Sequence, residues 1–121
     1  MSCYFQVNDE DVWNPSNSVA QIFLGQADTL SRSVGEQSGL GPVIEDECEI
    51  NLPQFVKFTN ILVKAYQDSN NRPFRSLLDG VIAISLVLIE RGGGAVDSIT
   101  PEYADMWAEL RANHARSMPT G

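Results

Sequence analysis

Nine consecutive residues, Val81 to Ile89, read VIAISLVLI. A helix built from them is apolar nearly all round, so it must either run through the centre of a domain or lie against a second copy of the chain. The apolar stretch extends back to Leu77 but is interrupted by Asp79-Gly80, which leaves it well short of the ~20 residues that span a bilayer. The line joining Asp79 to Glu90 is occupied by Ala83, Leu86 and Val87, so no continuous polar stripe faces water. A homodimer through helix 73–91 is therefore expected.

Three further stretches read as helices around this one, and each of the four begins near a proline, whose missing N–H costs nothing in a first helical turn. One follows Asn14-Pro15-Ser16 and runs to about Ser33, with Val19, Phe23, Ala27, Leu30 and Val34 on one face and Gly35 as its stop. The second opens at Pro53, with Phe55, Phe58, Leu62 and Tyr66 inward and Lys57, Asn60, Lys64 and Asp68 outward. The apolar helix starts at Asn71-Arg72-Pro73 and ends before Gly92-Gly93-Gly94. The last follows Thr100-Pro101-Glu102 and repeats Tyr103, Met106, Trp107 and Leu110 at helical spacing.

Two shorter stretches alternate with the strand period of two. Cys3, Phe5 and Val7 alternate with Tyr4, Gln6 and Asn8; Ile44, Cys48, Ile50 and Leu52 alternate with Glu45, Glu47, Glu49 and Asn51. The expected fold is mainly α: a four-helix domain over residues 1–116 with a small two-stranded β element, followed by a disordered tail at 117–121.

The net charge of −8 is unevenly spread. Residues 1–56 hold nine acids against a single base, Arg32, whereas residues 57–121 hold seven of each. One strongly negative region should result, centred on Asp9, Glu10, Asp11, Glu45, Glu47 and Glu49. It repels nucleic acid and anionic lipid and steers basic partners. The opening MSCYFQVNDED lacks the basic and apolar regions of a signal peptide, so a cytoplasmic location is expected, with Cys3 and Cys48 as free thiols.

The run Glu45-Asp46-Glu47-Cys48-Glu49 raises three chemistries. Alternation turns Cys48 away from the glutamates, and no D-x-D-x-D-G loop converges the carboxylates, so no metal and no cofactor is expected. Acidic neighbours disfavour a thiolate, which argues against a nucleophilic cysteine. An acidic rim remains. Asp46 falls on the apolar side of the alternation, where a carboxylate needs donors. His114, the one histidine, suits the end of the last helix. Asp79, just before the apolar run, is either a desolvated acid or the ion-pair partner of Arg75, four residues earlier.

Several blocks together, YF near the start, WNPSN at 13–17, GLGP at 39–42, DECEI at 46–50 and the apolar helix ending in Glu90-Arg91, resemble a family of small actinobacterial proteins classed as a domain of unknown function. The resemblance covers about residues 3–94. It implies a bacterial protein and supplies no activity. Two functions are compatible with the whole. The first is a small acidic, non-enzymatic binding module that docks a basic protein surface, analogous in charge and size to small inhibitors that neutralise basic toxins. The second is a small enzyme or ligand-binding helper of a biosynthetic pathway, with Trp13, Asp46, Asp79 and Tyr103 around a pocket between helices.

Overall fold

The computed structural model of the protein describes residues 1–121. Its helices form where the prolines and caps place them: α1 (Asn17–Val34), α2 (Leu52–Asp68), α3 (Arg72–Arg91) and α4 (Pro101–Ala115). Ser16, Asn51 and Asn71 each accept a hydrogen bond at the start of α1, α2 and α3 from the backbone N–H of Val19, Gln54 and Phe74. Gly35 ends α1 in the left-handed conformation, its N–H donating to the Ser31 carbonyl.

The strands correct the expected architecture. There are four, β1 (Tyr4–Val7), β2 (Glu10–Trp13), β3 (Leu40–Ile44) and β4 (Glu47–Ile50), in one mixed sheet of order β2-β1-β4-β3. The protein is thus an α+β fold and not a helical domain with a two-stranded element. The central pair, β1 beside β4, joins the two alternating stretches in parallel, with Tyr4 opposite Glu47, Phe5 opposite Cys48 and Gln6 opposite Glu49. Each of these strands also has a hairpin partner. Both hairpins turn on two residues with positive φ, Asn8 (50°) with Asp9 (68°) and Glu45 (52°) with Asp46 (64°), the backbone of a type I′ turn. Neither turn carries the glycine that usually marks one.

Alternation places Cys3, Phe5, Val7, Cys48 and Ile50 on one face of the sheet, where they join Val12 and Trp13 in a core of 24 buried residues shared with the helices. From Leu78 to Ile89, α3 is almost wholly buried, packed between α2 and α4, and so is the central helix. Its first turns differ, since Phe74 and Leu77 stand exposed.

Two glycines in the 39–42 block are required by close approach. A Cβ on Gly39, whose φ is +83°, would lie 2.6 Å from the Phe55 nitrogen, and one on Gly41 would lie 2.9 Å from the Glu49 carbonyl oxygen. The tail is docked where disorder was expected. Met118 is buried, and the Pro119 carbonyl accepts the Asn14 N–H at 2.7 Å. Arg91, at the end of α3, donates to the carbonyls of Val12 (2.9 Å), Met118 (2.6 Å) and Ala115 (3.2 Å), fastening β2, α4 and the tail together.

Candidate functional site

The helices pack on one face of the sheet and leave the other open. On this outer face, pairing aligns Ile44, Glu47 and Tyr4 across three strands, and next to them Glu49, Gln6 and Asp11. The Gln6 amide donates to Asp11 Oδ1 at 2.8 Å and to Glu47 Oε2 at 3.2 Å, so one neutral side chain holds two carboxylates in register. Glu47 lies between Tyr4, half-buried, and Ile44, exposed. The face therefore offers both negative charge and apolar area.

All six acids proposed from sequence are exposed. The structure gathers Asp11, Glu47 and Glu49 on the outer face. Because β1 and β4 run parallel, the Asn8-Asp9 turn follows β1 at one end of the sheet and the Glu45-Asp46 turn precedes β4 at the other. Asp9 and Glu10 thus border one end, and Glu45 with Asp46 the opposite end. The negative region is a band along the sheet with a dense middle.

The four residues placed around a pocket, Trp13, Asp46, Asp79 and Tyr103, occupy four separate settings. Trp13 is buried against Phe5 (5.1 Å between ring centroids) and Phe23 (5.6 Å). Asp46 is exposed in the turn; the hairpin resets the alternation that would have turned it inward, and its backbone carbonyl accepts the Tyr4 N–H at 2.8 Å. Asp79 borders a groove between α1 and α3 and makes no ion pair with Arg75. Arg75 instead donates to the Tyr66 carbonyl at 3.1 Å and to the Tyr103 hydroxyl at 2.8 Å, with its guanidinium over both rings.

Cys3 and Cys48 are both buried free thiols on the inner face. Burial pushes the Cys48 thiol up to about 12, reinforced by Cys3, while its Sγ donates to the Gly41 carbonyl at 3.3 Å. Burial, with the Asp46 carboxylate adding to it, raises Cys3 as well. Neither thiol is set up as a nucleophile. His114 bonds the Leu110 carbonyl through Nδ1 at 2.8 Å, as a helix-end residue. No three His, Cys, Asp or Glu side chains converge as a metal ligand set, and no helix is long and apolar enough to cross a membrane.

A cavity absent from the sequence reading lies between α3, the 94–99 segment and α4. It measures about 310 Å³, is walled mainly by Leu86, Ile89, Val96, Ile99 and Trp107, and has Glu90 and Arg111 as an ion pair at its border. The Trp107 indole N–H is buried without an acceptor. Helical spacing assigned Trp107 to the core, and it is there, packed on Tyr66 at 4.8 Å between centroids. The cavity follows from the path of the 94–99 segment. Asn60 fixes that path, its Oδ1 accepting from the backbone N–H groups of Asp97 and Ser98 and from the Ser98 hydroxyl.

No curated protein and no solved structure gives a significant match to this chain. One family model does match, from β1 through α4 and into the docked tail, and so takes in the last helix that the quoted blocks left out. Over residues 1–120 the match is to a family of unknown function (DUF6086), and the chain belongs to that family.

Proposed function

We propose that this protein is a non-enzymatic binding module whose open sheet face docks a basic protein surface. The observation that carries the reading is the composition of that face: Asp11, Glu47 and Glu49 surround Tyr4 and Ile44 on a side of the sheet that no helix covers. Apolar area can anchor a partner, and the carboxylates select its sign and accelerate its approach. A cytoplasmic setting belongs to this reading, since the free, buried thiols suit a reducing compartment.

The test compares the wild-type chain with a Glu45→Gln/Glu47→Gln/Glu49→Gln variant, each immobilised and exposed to the basic proteins of the producing cell. A captured partner is then measured for association rate at low and moderate ionic strength. The wild type is expected to associate ~10-fold faster or more at low salt, with a steeper salt dependence. Equal rates for the two chains would defeat the proposal. Thermal melting with divalent cations, then EDTA, checks the competing use of the same carboxylates. A cation-dependent rise of several degrees, reversed by EDTA, would replace the docking face with a metal site.

The α3/α4 cavity favours a second reading, a ligand-binding helper. Its size lies at the lower end of small-molecule sites, and its walls suit a small apolar ligand. Ala108 also lines the cavity, and filling it by Ala108→Phe should abolish binding of a small apolar fluorescent probe if the cavity is used. Unchanged probe binding would exclude this site.

A further inference from the structure

Four buried side-chain polar atoms have no partner within the chain: Asn14 Oδ1, Thr59 Oγ1, Ser85 Oγ and Trp107 Nε1. Of these residues, Trp107 alone lines the α3/α4 cavity. Its aromatic neighbours are satisfied, since the Tyr66 hydroxyl donates to Met106 Sδ at 3.8 Å and the Tyr103 hydroxyl accepts from Arg75 at 2.8 Å. The indole N–H is the exception. It can only donate, and burial without an acceptor forfeits the bond it makes to water in the unfolded chain.

Trp107 meets the Tyr66 ring at an interplanar angle of 65°, and the space that the chain leaves unfilled against it is the cavity of about 310 Å³. An acceptor for the N–H therefore arrives through this space. Water is a poor candidate, because a buried water needs two or more polar partners and the side chains of Leu86, Ile89, Val96 and Ile99 offer none.

The rim restricts the charge of the occupant. Glu90 and Arg111 pair with each other there, so neither is left over to select a cation or an anion. Apolar walls, a charge-balanced rim and one unpaired donor together describe a compact, uncharged molecule that is apolar except for one acceptor oxygen. A carbonyl meets this description, whereas a hydroxyl brings a donor of its own that these walls would leave unsatisfied.

We infer that the α3/α4 cavity binds a small neutral carbonyl compound whose oxygen accepts the Trp107 indole N–H, an inference that rests on the reading of this cavity as a ligand site and adds the class of ligand. The experiment compares acetophenone with α-methylstyrene, which has the same shape but carries a methylene in place of the carbonyl oxygen. Each is titrated into the full chain with isotopically labelled tryptophan, and the two indole N–H signals are followed by NMR. Trp13, packed on Phe5 and Phe23, is the internal reference. Acetophenone should bind ~10-fold more tightly than α-methylstyrene and should move the Trp107 signal well beyond that of Trp13. Trp107→Phe keeps an aromatic wall, removes the donor and should bring the two affinities together. If neither compound binds, the inference and the ligand-site reading fail together. If both bind equally and move the Trp107 signal alike, the ligand-site reading stands and the inference is overturned; a preference for the ketone that survives Trp107→Phe also overturns it. The wild-type comparison decides the matter if Trp107→Phe fails to fold.

Discussion

On the inner face of the sheet, Cys3, Phe5, Val7, Val12, Trp13, Cys48 and Ile50 are no more than 5 % exposed, whereas on the outer face Asp11, Glu47 and Glu49 stand in water with Tyr4 and Gln6 half-buried. Phe5 lies between Tyr4 and Gln6, and Cys48 between Glu47 and Glu49, so neighbouring residues in the same strand have different tasks. The inner set gains stability from removing apolar area from water and from aromatic contacts such as Phe5 with Phe23 at 5.9 Å. The outer set contributes little to stability and is free to carry like charge. Function can be placed on one side of the sheet with little cost to the other.

The sharpest attempt to break this contrast is Phe5→Ala. A fully buried aromatic at the centre of the sheet should cost ~3–5 kcal/mol, read as a lower urea midpoint. A loss below ~1 kcal/mol would place the stabilising contacts elsewhere.

Cys48 gives a second test of the inner face, through pH. An unfolded thiol titrates near 9.0, whereas the folded Cys48 holds its proton to about 12. Its stabilising contribution is therefore complete below pH 9. It is lost as pH rises toward 12, where the unfolded state has released a proton that the native state retains. Denaturant midpoints should fall across this window, and Cys48→Ala should flatten the fall while lowering stability at neutral pH. Neither cysteine should react with a thiol reagent in the native protein, and both should react in denaturant. An absence of both adducts would point to a disulfide instead.

A smaller effect is expected at the sheet edge. Arg91→Lys keeps the charge but cannot reproduce a planar fork that reaches three carbonyls, and should cost ~1–3 kcal/mol by denaturant titration. Equal stability would show that buried Met118 and the Pro119–Asn14 hydrogen bond suffice to hold the tail. The smallest effect belongs to the outer face. Glu47→Gln/Glu49→Gln should shift stability by no more than ~0.5 kcal/mol in either direction. A larger loss would make these carboxylates structural and would weaken the docking proposal.

The helices were legible in sequence because each rule behind them is local. Proline positions and 3.6-residue spacing located all four, and every inward residue expected of α2 is buried. Val19 is an exception, read as inward from periodicity yet 45 % exposed, because α3 does not cover that side of α1. Asn60 is another: it was read as facing water, but it holds the 94–99 segment.

Half of the sheet was illegible for identifiable reasons. Both turns use Asn, Asp or Glu at positive φ in place of glycine. β2 and β3 are also irregular, the first entering pairing through a bulge opposite Phe5 and Gln6, the second containing Gly41 and Pro42. The acidic cluster was visible as composition. Its division between one face and two opposite ends depends on the parallel pairing, which no local pattern specifies.

That parallel pairing also bears on how the chain acquires its shape. Gln6 and Glu47 are 41 residues apart, so the two hairpins can each close early on short turns, but their union must wait until α1 has brought them side by side. The slow step in folding is then expected to be this union. Weakening the β1–β4 seam should retard refolding, while trimming contacts of α4 should chiefly hasten unfolding, a split that stopped-flow kinetics can read. Until the union occurs, each hairpin exposes its apolar side and an unpaired edge, and it is in this interval that the acidic residues, by mutual repulsion between chains, would keep unfinished molecules apart.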